Sequence, residues 1–294
     1  MSRLACLLLC LVAASASANP LIAFERGDSV WVANVDGSGA KKIAKGSAPD
    51  ISPDGSRIAF HTDTSTKKDV VRQIAVADVA SKHVTVFKGQ IPSANCQRAI
   101  WSPDGKRILF NIWSDADWHL ALVNADGSGF RYLKKATPKG NSLWSACWAP
   151  DGRSVYAQNL NTICELDLDG GEKRQWSIDS LFPKGGLSSG TYFSISPDGK
   201  KLVLDVEMAE EEASLPDFDG PPPAIWIFDI PAGKATRLTK KEINAWHPVW
   251  LSDNEILVCT QKRGEKASSV YKMTLGQEQL TRVLPNANDP VISR

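Results

Sequence analysis

The sequence predicts an all-β protein, a six-bladed β-propeller with four-stranded blades. Three observations support this fold class. A turn motif recurs at intervals of roughly 50 residues, an apolar strand follows each copy, and a second turn comes after that strand. Units of about 46 residues containing four short strands are typical of propeller blades. We therefore expect a single closed ring of blades.

The recurring turn has the sequence Ser-Pro-Asp-Gly. Proline presets φ at the first central position, aspartate bonds its own backbone, and glycine supplies the left-handed residue that closes a hairpin. The four aspartates are therefore expected to be structural. The copies begin, in chain order, at Ser52, Ser102, Ala149 and Ser196, with a degenerate copy at Leu251.

The two ends of the chain together supply the sixth blade. The N-terminal segments 21–24 and 29–32 predict strands of a blade that lacks its first strand. The C-terminal segment 289–293 matches 247–251, which directly precedes the fifth turn. We expect the C-terminal strand to pair into the N-terminal blade, because this closes the ring and removes an open sheet edge.

Residues 1–18 have the features of an export signal. Arg3 supplies a positive start, an apolar run follows, and Ala16-Ser17-Ala18 is a typical cleavage site. The run is too short to span a bilayer as an anchor. The sequence therefore predicts a signal peptide at 1–18 and one propeller domain at 19–294.

The charge balance excludes several kinds of partner. Of the 34 Lys and Arg residues, cleavage removes Arg3, which leaves 33 against 33 Asp and Glu. A neutral chain without a basic stripe is not suited to coating nucleic acid or an anionic membrane. We expect a monomer that binds no nucleic acid and does not insert into a membrane.

Four cysteines remain after cleavage, too few for a disulfide scaffold. Cys96 and Cys147 fall on the first strands of adjacent blades and are the candidate disulfide. Cys164 and Cys259 lie in non-adjacent blades, so we expect them to be free and buried.

The clearest copy of the repeat, at 100–110, has the pattern x-W-S-P-D-G-x-x-I-x-F. This pattern resembles the TolB-like six-bladed β-propeller family, and the resemblance covers essentially all of 19–294. We expect the resemblance to extend to the propeller only, without a counterpart of the TolB N-terminal domain, because the repeats start just after Asn19. The resemblance implies a periplasmic module that binds an envelope protein, as the TolB propeller binds the peptidoglycan-associated lipoprotein.

A ring of candidate site residues lies four positions before each turn. The first strand of each blade enters there from the face that carries the inter-blade loops, which we name the loop face. Polar groups converging on a channel mouth are typical of a ligand or peptide site. The ring consists of Ala48, Arg98, Ser145, Tyr192, His247 and Asp289.

Two tryptophans, Trp144 and Trp246, are predicted to lie in inter-blade loops on the same face. Exposed aromatic residues are good interface anchors, although both could instead cover the core. The large apolar residue directly before each turn is expected to pack between blades. The candidate binding residues are therefore Arg98, Trp144, Tyr192, Trp246, His247 and Asp289.

Other motifs give weaker predictions. The acidic segment 207–223 is either a partner-binding loop, a solvated loop or, less convincingly, a Ca²⁺ loop without the usual ligand order. The Gly-x-Ser-x-Gly match at 186–190 lacks the strand–turn–helix context of a nucleophile elbow. His61, His83 and His119 are expected at outer or loop positions of other blades, so we predict no metal centre and no cofactor.

These observations predict a non-enzymatic binding module that recognises a protein partner through the loop face. The alternative is a propeller enzyme of the polysaccharide-lyase or hydrolase type with its site in the same funnel. A third alternative is a scaffold in a larger envelope complex. The residue types favour binding, because the funnel offers no paired carboxylates and no nucleophile with a base.

Overall fold

A computed structural model describes residues 19–136, 141–211, 220–262, 264–277 and 279–294. The predicted signal peptide and part of the acidic segment, including Glu212, Asp217 and Asp219, lie outside these ranges. The described residues form six four-stranded antiparallel sheets, which confirms the predicted six-bladed propeller. No helix among them is long and apolar enough to cross a membrane.

The first three blades follow the predicted order of strands. Blade 1 contains β1 (Leu21–Arg26), β2 (Ser29–Asn34) and β3 (Lys41–Lys45). Blade 2 contains β4 (Ser47–Ile51), β5 (Arg57–Asp63), β6 (Arg72–Asp78) and β7 (Val84–Val86). Blade 3 contains β8 (Cys96–Trp101), β9 (Arg107–Ser114), β10 (Asp117–Asn124) and β11 (Arg131–Lys134).

The remaining blades repeat the same pattern, with a one-turn helix, α1 (Ile178–Leu181), between blades 4 and 5. Blade 4 contains β12 (Trp144–Trp148), β13 (Ser154–Gln158), β14 (Thr162–Asp167) and β15 (Glu172–Ser177). Blade 5 contains β16 (Phe193–Ile195), β17 (Lys201–Glu207), β18 (Pro223–Asp229) and β19 (Lys234–Arg237). Blade 6 contains β20 (Ala245–Trp250), β21 (Glu255–Thr260), β22 (Ser269–Thr274) and β23 (Leu280–Leu284).

The last strand, β24 (Asn288–Ile292), closes the ring as predicted. It pairs antiparallel with β1, with Ile22 opposite Ile292, and forms the inner strand of blade 1. Just beyond it, the Ser293 hydroxyl accepts a hydrogen bond from the Leu21 amide at 2.8 Å. The first and last segments of the chain are thus held in one sheet.

The Ser-Pro-Asp-Gly turns have the structural role that the sequence predicts. In blade 3 the Ser102 hydroxyl donates to Asp104 at 2.5 Å and accepts from the Arg107 amide at 2.9 Å. Gly105 has φ 65°, the left-handed conformation that favours glycine. We name the side of the ring that carries these turns the turn face.

The core lies between blades, where the residue before each turn is buried. In blades 3 and 4 this residue is a tryptophan covered by a guanidinium. Arg57 lies 4.5 Å from the ring centre of Trp101, and Arg107 lies 5.1 Å from that of Trp148. Burying a large side chain of this kind contributes about 3 kcal/mol. This confirms the predicted packing role of Ile51, Trp101, Trp148, Ile195, Trp250 and Ile292.

The predicted disulfide between Cys96 and Cys147 is wrong. All four described cysteines are free and buried, as expected for Cys164 and Cys259. Cys96 lies six residues before its turn and Cys147 only two, so the two are offset by four residues along their strands. At the rise of a β-strand this offset is about 13 Å, too far for a bridge.

Candidate functional site

The ring residues lie at bulges in the inner strands. In blade 3, Gln97 pairs with Asn111 and Ile100 with Leu109, so β8 holds one extra residue. A bulge leaves that residue unpaired and changes the direction of its side chain. Five ring residues accordingly have positive φ, namely Ala48 (49°), Arg98 (56°), Ser145 (55°), His247 (48°) and Asp289 (50°). Tyr192, directly before β16, is the exception.

Four of the six predicted binding residues form one cluster across the channel. His247 Nδ1 contacts a carboxylate oxygen of Asp289, and the Tyr192 hydroxyl donates to the other oxygen at 3.3 Å. The rings of Tyr192 and His247 are 3.9 Å apart. The Arg98 guanidinium lies 4.2 Å from the centre of the Tyr192 ring. We name these four residues the polar cluster.

Arg98 is held in place by backbone carbonyls of the loop before blade 5. Its Nη1 donates to the Thr191 carbonyl and its Nη2 to the Gly190 carbonyl, each at 2.7 Å. The 186–190 segment therefore supplies an acceptor for an arginine. It is a loop without the strand and helix that a nucleophile elbow requires.

The charges within the polar cluster follow from burial and pairing. Burial opposes ionisation of Asp289, but His247 and Arg98 together hold its pKa below the usual value. Burial and the neighbouring Asp289 raise the pKa of Tyr192 well above its usual value. Tyr192 is thus a neutral hydrogen-bond donor to an ionised carboxylate.

A second ring of polar residues supports the first, and the sequence analysis missed it. The Glu25 carboxylate accepts from the Ala48 amide at 3.1 Å, and Asp205 accepts from the Tyr192 amide at 3.0 Å. Gln158, fully buried, donates to the Ser145 hydroxyl at 3.2 Å. The sequence did carry a signal for this second ring, because the fifth position of the second strand of every blade is a polar residue or a cysteine. These residues are Glu25, His61, Asn111, Gln158, Asp205 and Cys259.

The second ring places a histidine beside the channel, which corrects the predicted outer position of His61. Burial lowers the pKa of His61 to about 4, and the charges of Arg98 and Asp289 act on it. Its position follows from β5, whose loop-face end lies next to the inner strand. His119 is buried in blade 3, where its Nδ1 accepts from the Ala136 amide at 2.8 Å.

Both candidate tryptophans lie in inner strands, so their predicted loop position is wrong. The inner strands continue past the bulge toward the loop face, which places Trp144 in β12 and Trp246 in β20. Trp144 packs against Trp118 at 5.5 Å between ring centres, and Trp118 packs equally close to Trp113. Trp113 is 39% exposed, so these three rings form an aromatic patch on the loop face. Trp246 is half-buried against the core of blades 6 and 1.

Two carboxylates in the described part of the acidic segment pair with basic residues of the chain itself. Glu211 accepts two hydrogen bonds from Arg237, at 2.6 and 3.0 Å. Glu210 pairs with Lys184 at 2.7 Å. These carboxylates therefore brace the loop after β17. Within the described residues, no group of three or more His, Cys, Asp and Glu side chains is arranged to hold a metal ion.

Comparison with known proteins gives a fold and not a sequence family. No protein-family profile matches the sequence, and no curated protein matches it. Solved structures do match. TolB from Acinetobacter baumannii is 17% identical with a TM-score of 0.62, over 94% of this chain and 67% of that chain. The chain therefore has a six-bladed β-propeller fold similar to that of TolB.

Two further structures with this fold differ in what their names describe. A chain of a nidogen/laminin complex is 13% identical with a TM-score of 0.67, over 94% of this chain and 98% of that chain. An oligogalacturonate lyase in complex with manganese is 16% identical with a TM-score of 0.58, over 88% of this chain and 74% of that chain. The fold therefore accommodates both protein complexes and an enzyme, and function must be argued from the site.

Proposed function

We propose that this chain is a non-enzymatic, periplasmic binding module that recognises a protein partner through its loop face. The observation that carries the proposal is the polar cluster, in which side chains from four different blades meet at the end of the channel nearest the loop face. The partner class that the TolB-like fold favours is an envelope protein such as a peptidoglycan-associated lipoprotein.

The loop face has the composition of a protein interface. Arginine, tyrosine and tryptophan are the residue types enriched at the energetic centres of interfaces. Arg98 and Tyr192 stack at the centre, and Trp113, Trp118 and Trp144 lie at the rim of the same face. A partner would find hydrogen-bonding groups at the channel and apolar surface beside it.

The experiment is a binding titration of purified 19–294 with the peptidoglycan-associated lipoprotein of the same organism. We expect the double variant Arg98→Ala with His247→Ala to weaken binding at least tenfold, since it removes two central contacts. The matched control is Arg131→Ala with His83→Ala. It makes the same substitutions at exposed positions away from the polar cluster and should change affinity less than twofold.

Unchanged binding in the Arg98 and His247 double variant would show that the channel end of the loop face is not the interface. Equal losses in both double variants would show a nonspecific charge effect instead. Thermal unfolding of each variant establishes that the ring is intact before affinities are compared.

A second candidate function has one specific observation in its favour. Asp289 contacts His247 within a cluster that also holds Arg98, and a base and a cation in one site are what elimination next to a substrate carboxylate requires. The test is incubation with oligogalacturonate and detection of unsaturated product by ultraviolet absorbance. Turnover that His247→Ala abolishes would support a lyase and count against the binding module. Absence of turnover would remove this candidate.

A further inference from the structure

The channel contains a cavity on the other side of the polar cluster. Its volume is about 370 Å³. It extends from Arg98 and Tyr192 to the prolines of the Ser-Pro-Asp-Gly turns, and three of these prolines are exposed: Pro103, Pro150 and Pro197. The cavity therefore opens on the turn face, opposite the surface proposed to bind a protein.

The walls of the cavity are largely apolar. They include the inner-strand residues Ala99, Ala146, Val249 and Val291, which come from four different blades. A concave, mostly apolar site of a few hundred Å³ with a small number of polar groups is the usual form of a small-molecule site. The volume suits a molecule of the size of a medium-chain fatty acid or a two-ring aromatic compound.

Two guanidinium groups line this cavity. Arg98 lies at its inner end, and Arg294 lines its wall, where Nη2 donates to the Ile195 carbonyl at 3.0 Å. Neither arginine takes part in an ion pair among the described residues. Arg294 is exposed, and a guanidinium beside an apolar cavity can form charge-assisted hydrogen bonds with an anionic ligand.

One acidic group also faces the cavity. Asp50 accepts a hydrogen bond from the Trp101 amide at 2.6 Å. Burial raises the pKa of Asp50 to about 7 against the opposing effect of the Arg294 charge, so Asp50 carries only part of a negative charge near neutral pH. Cys147, the other titratable neighbour, stays a neutral thiol because burial raises its pKa to about 12. Asp50 therefore offsets only part of the positive charge of the two arginines that line the cavity.

We propose that the channel cavity binds a small organic anion with an apolar body, which enters from the turn face and places its charged group at Arg294. Arg294 is the better partner of the two arginines, because both terminal nitrogens of Arg98 already donate to carbonyls at 2.7 Å. The apolar body would occupy the channel between the inner strands. This site is independent of the proposed protein-binding function.

The test uses two fluorescent probes that differ in charge. 1-Anilinonaphthalene-8-sulfonate is an apolar anion, and N-phenyl-1-naphthylamine has the same rings without the sulfonate. We expect Arg294→Gln to weaken binding of the anionic probe about tenfold, the effect of one lost charge-assisted contact. Binding of the neutral probe should change less than twofold. Decanoate should displace the anionic probe from the unmodified protein.

Two further variants locate the site. Val249→Phe fills the cavity while keeping both arginines, so it should weaken the binding of both probes at least tenfold. Cooperative unfolding of this variant establishes that the ring is intact. Trp113→Ala, on the loop face, should leave both affinities unchanged. Equal affinity of the anionic probe for the original chain and Arg294→Gln would overturn the proposal. So would loss of binding in Trp113→Ala, since the probe would then occupy the aromatic patch.

Discussion

At the scale of single residues, burial sets the charge states along the channel. Glu25 and Asp205 have pKa values above the usual range, chiefly because burial disfavours the charged form. His61 is neutral at physiological pH for the same reason. Asp289 alone among these carboxyls has a lowered pKa, because His247 and Arg98 offset its burial. Of these three carboxyls, burial and pairing therefore favour the charged form only at Asp289.

Asp50 should make the stability of the protein depend on pH. Its pKa is about 7 in the folded chain, above that of an unfolded aspartate, so its stabilising contribution is lost as pH rises toward 7. Between about pH 5 and pH 8 the loss is roughly 3 kcal/mol. Asp50→Asn keeps an acceptor for the Trp101 amide and should remove this dependence. The measurement is urea unfolding of both proteins at the two pH values.

The prediction would be contradicted if the free energy of unfolding changed equally between the two pH values in the original chain and in Asp50→Asn. The titration of His61 does not confuse the comparison, because it is common to both proteins. Its contribution also has the opposite sign: a lowered histidine pKa stabilises the fold above pH 6.5 and less as pH falls toward 4.

At the scale of elements, the bulged inner strand is the feature that builds the site. Each bulge interrupts the ladder and leaves backbone groups that need partners. The second ring provides them, as Glu25 does for the Ala48 amide at 3.1 Å and Asp205 does for the backbone of His247. The polar residues of the second strands are thus a structural requirement of the bulges, and the bulges aim the first ring into the channel.

Replacing a second-ring residue should destabilise its blade strongly. Gln158 bonds the Ser145 hydroxyl, the Ser188 carbonyl and the Leu160 amide. Gln158→Leu leaves these groups unpaired in a buried site, and we expect a loss of about 3 kcal/mol in the free energy of unfolding. Gln175→Leu makes the same change at an exposed position of the same blade and should cost less than about 0.5 kcal/mol. If urea unfolding gave similar losses of free energy for Gln158→Leu and Gln175→Leu, the structural role of Gln158 in the second ring would be refuted.

At the scale of the whole molecule, closure of the ring makes one cooperative unit from six similar blades. Each core cluster is shared between neighbours, as in the cluster of Ile22, Val249 and Ile292, which joins blades 6 and 1. The inner strand of blade 1 comes from the opposite end of the chain from its other strands. Blade 1 is therefore complete only when the two ends of the chain meet.

Removing residues 288–294 should abolish cooperative folding. The truncated chain loses β24, which exposes the edge of β1 and the apolar contacts of Ile292. We expect no single thermal transition and strong dye binding by the exposed core. Removal of Arg294 alone should leave the transition cooperative. A soluble 19–287 chain with one sharp unfolding transition would refute closure through β24.

Much of the fold and part of the site were predictable from local patterns. The Ser-Pro-Asp-Gly turns have a local cause, and their spacing predicts both the blades and the six ring positions. Arg98, Tyr192, His247 and Asp289 could therefore be grouped before any distances were known. The predicted positions of Trp144, Trp246 and His61 were wrong, because each depends on how far a strand extends toward the loop face. The predicted Cys96–Cys147 pair was wrong for a different reason, since the two cysteines lie at different distances from their turns.

The sequence by itself determined the strands, the turns, the closure of the ring and the channel-facing positions, since these follow from short-range backbone preferences and regular spacing. Only the tertiary structure decided which side chains meet. Residues from blades 1, 3, 5 and 6 join across the channel, and a separate cavity remains beneath them. Such contacts depend on side-chain length and on bulge geometry at a shared axis, which no local pattern in the chain records.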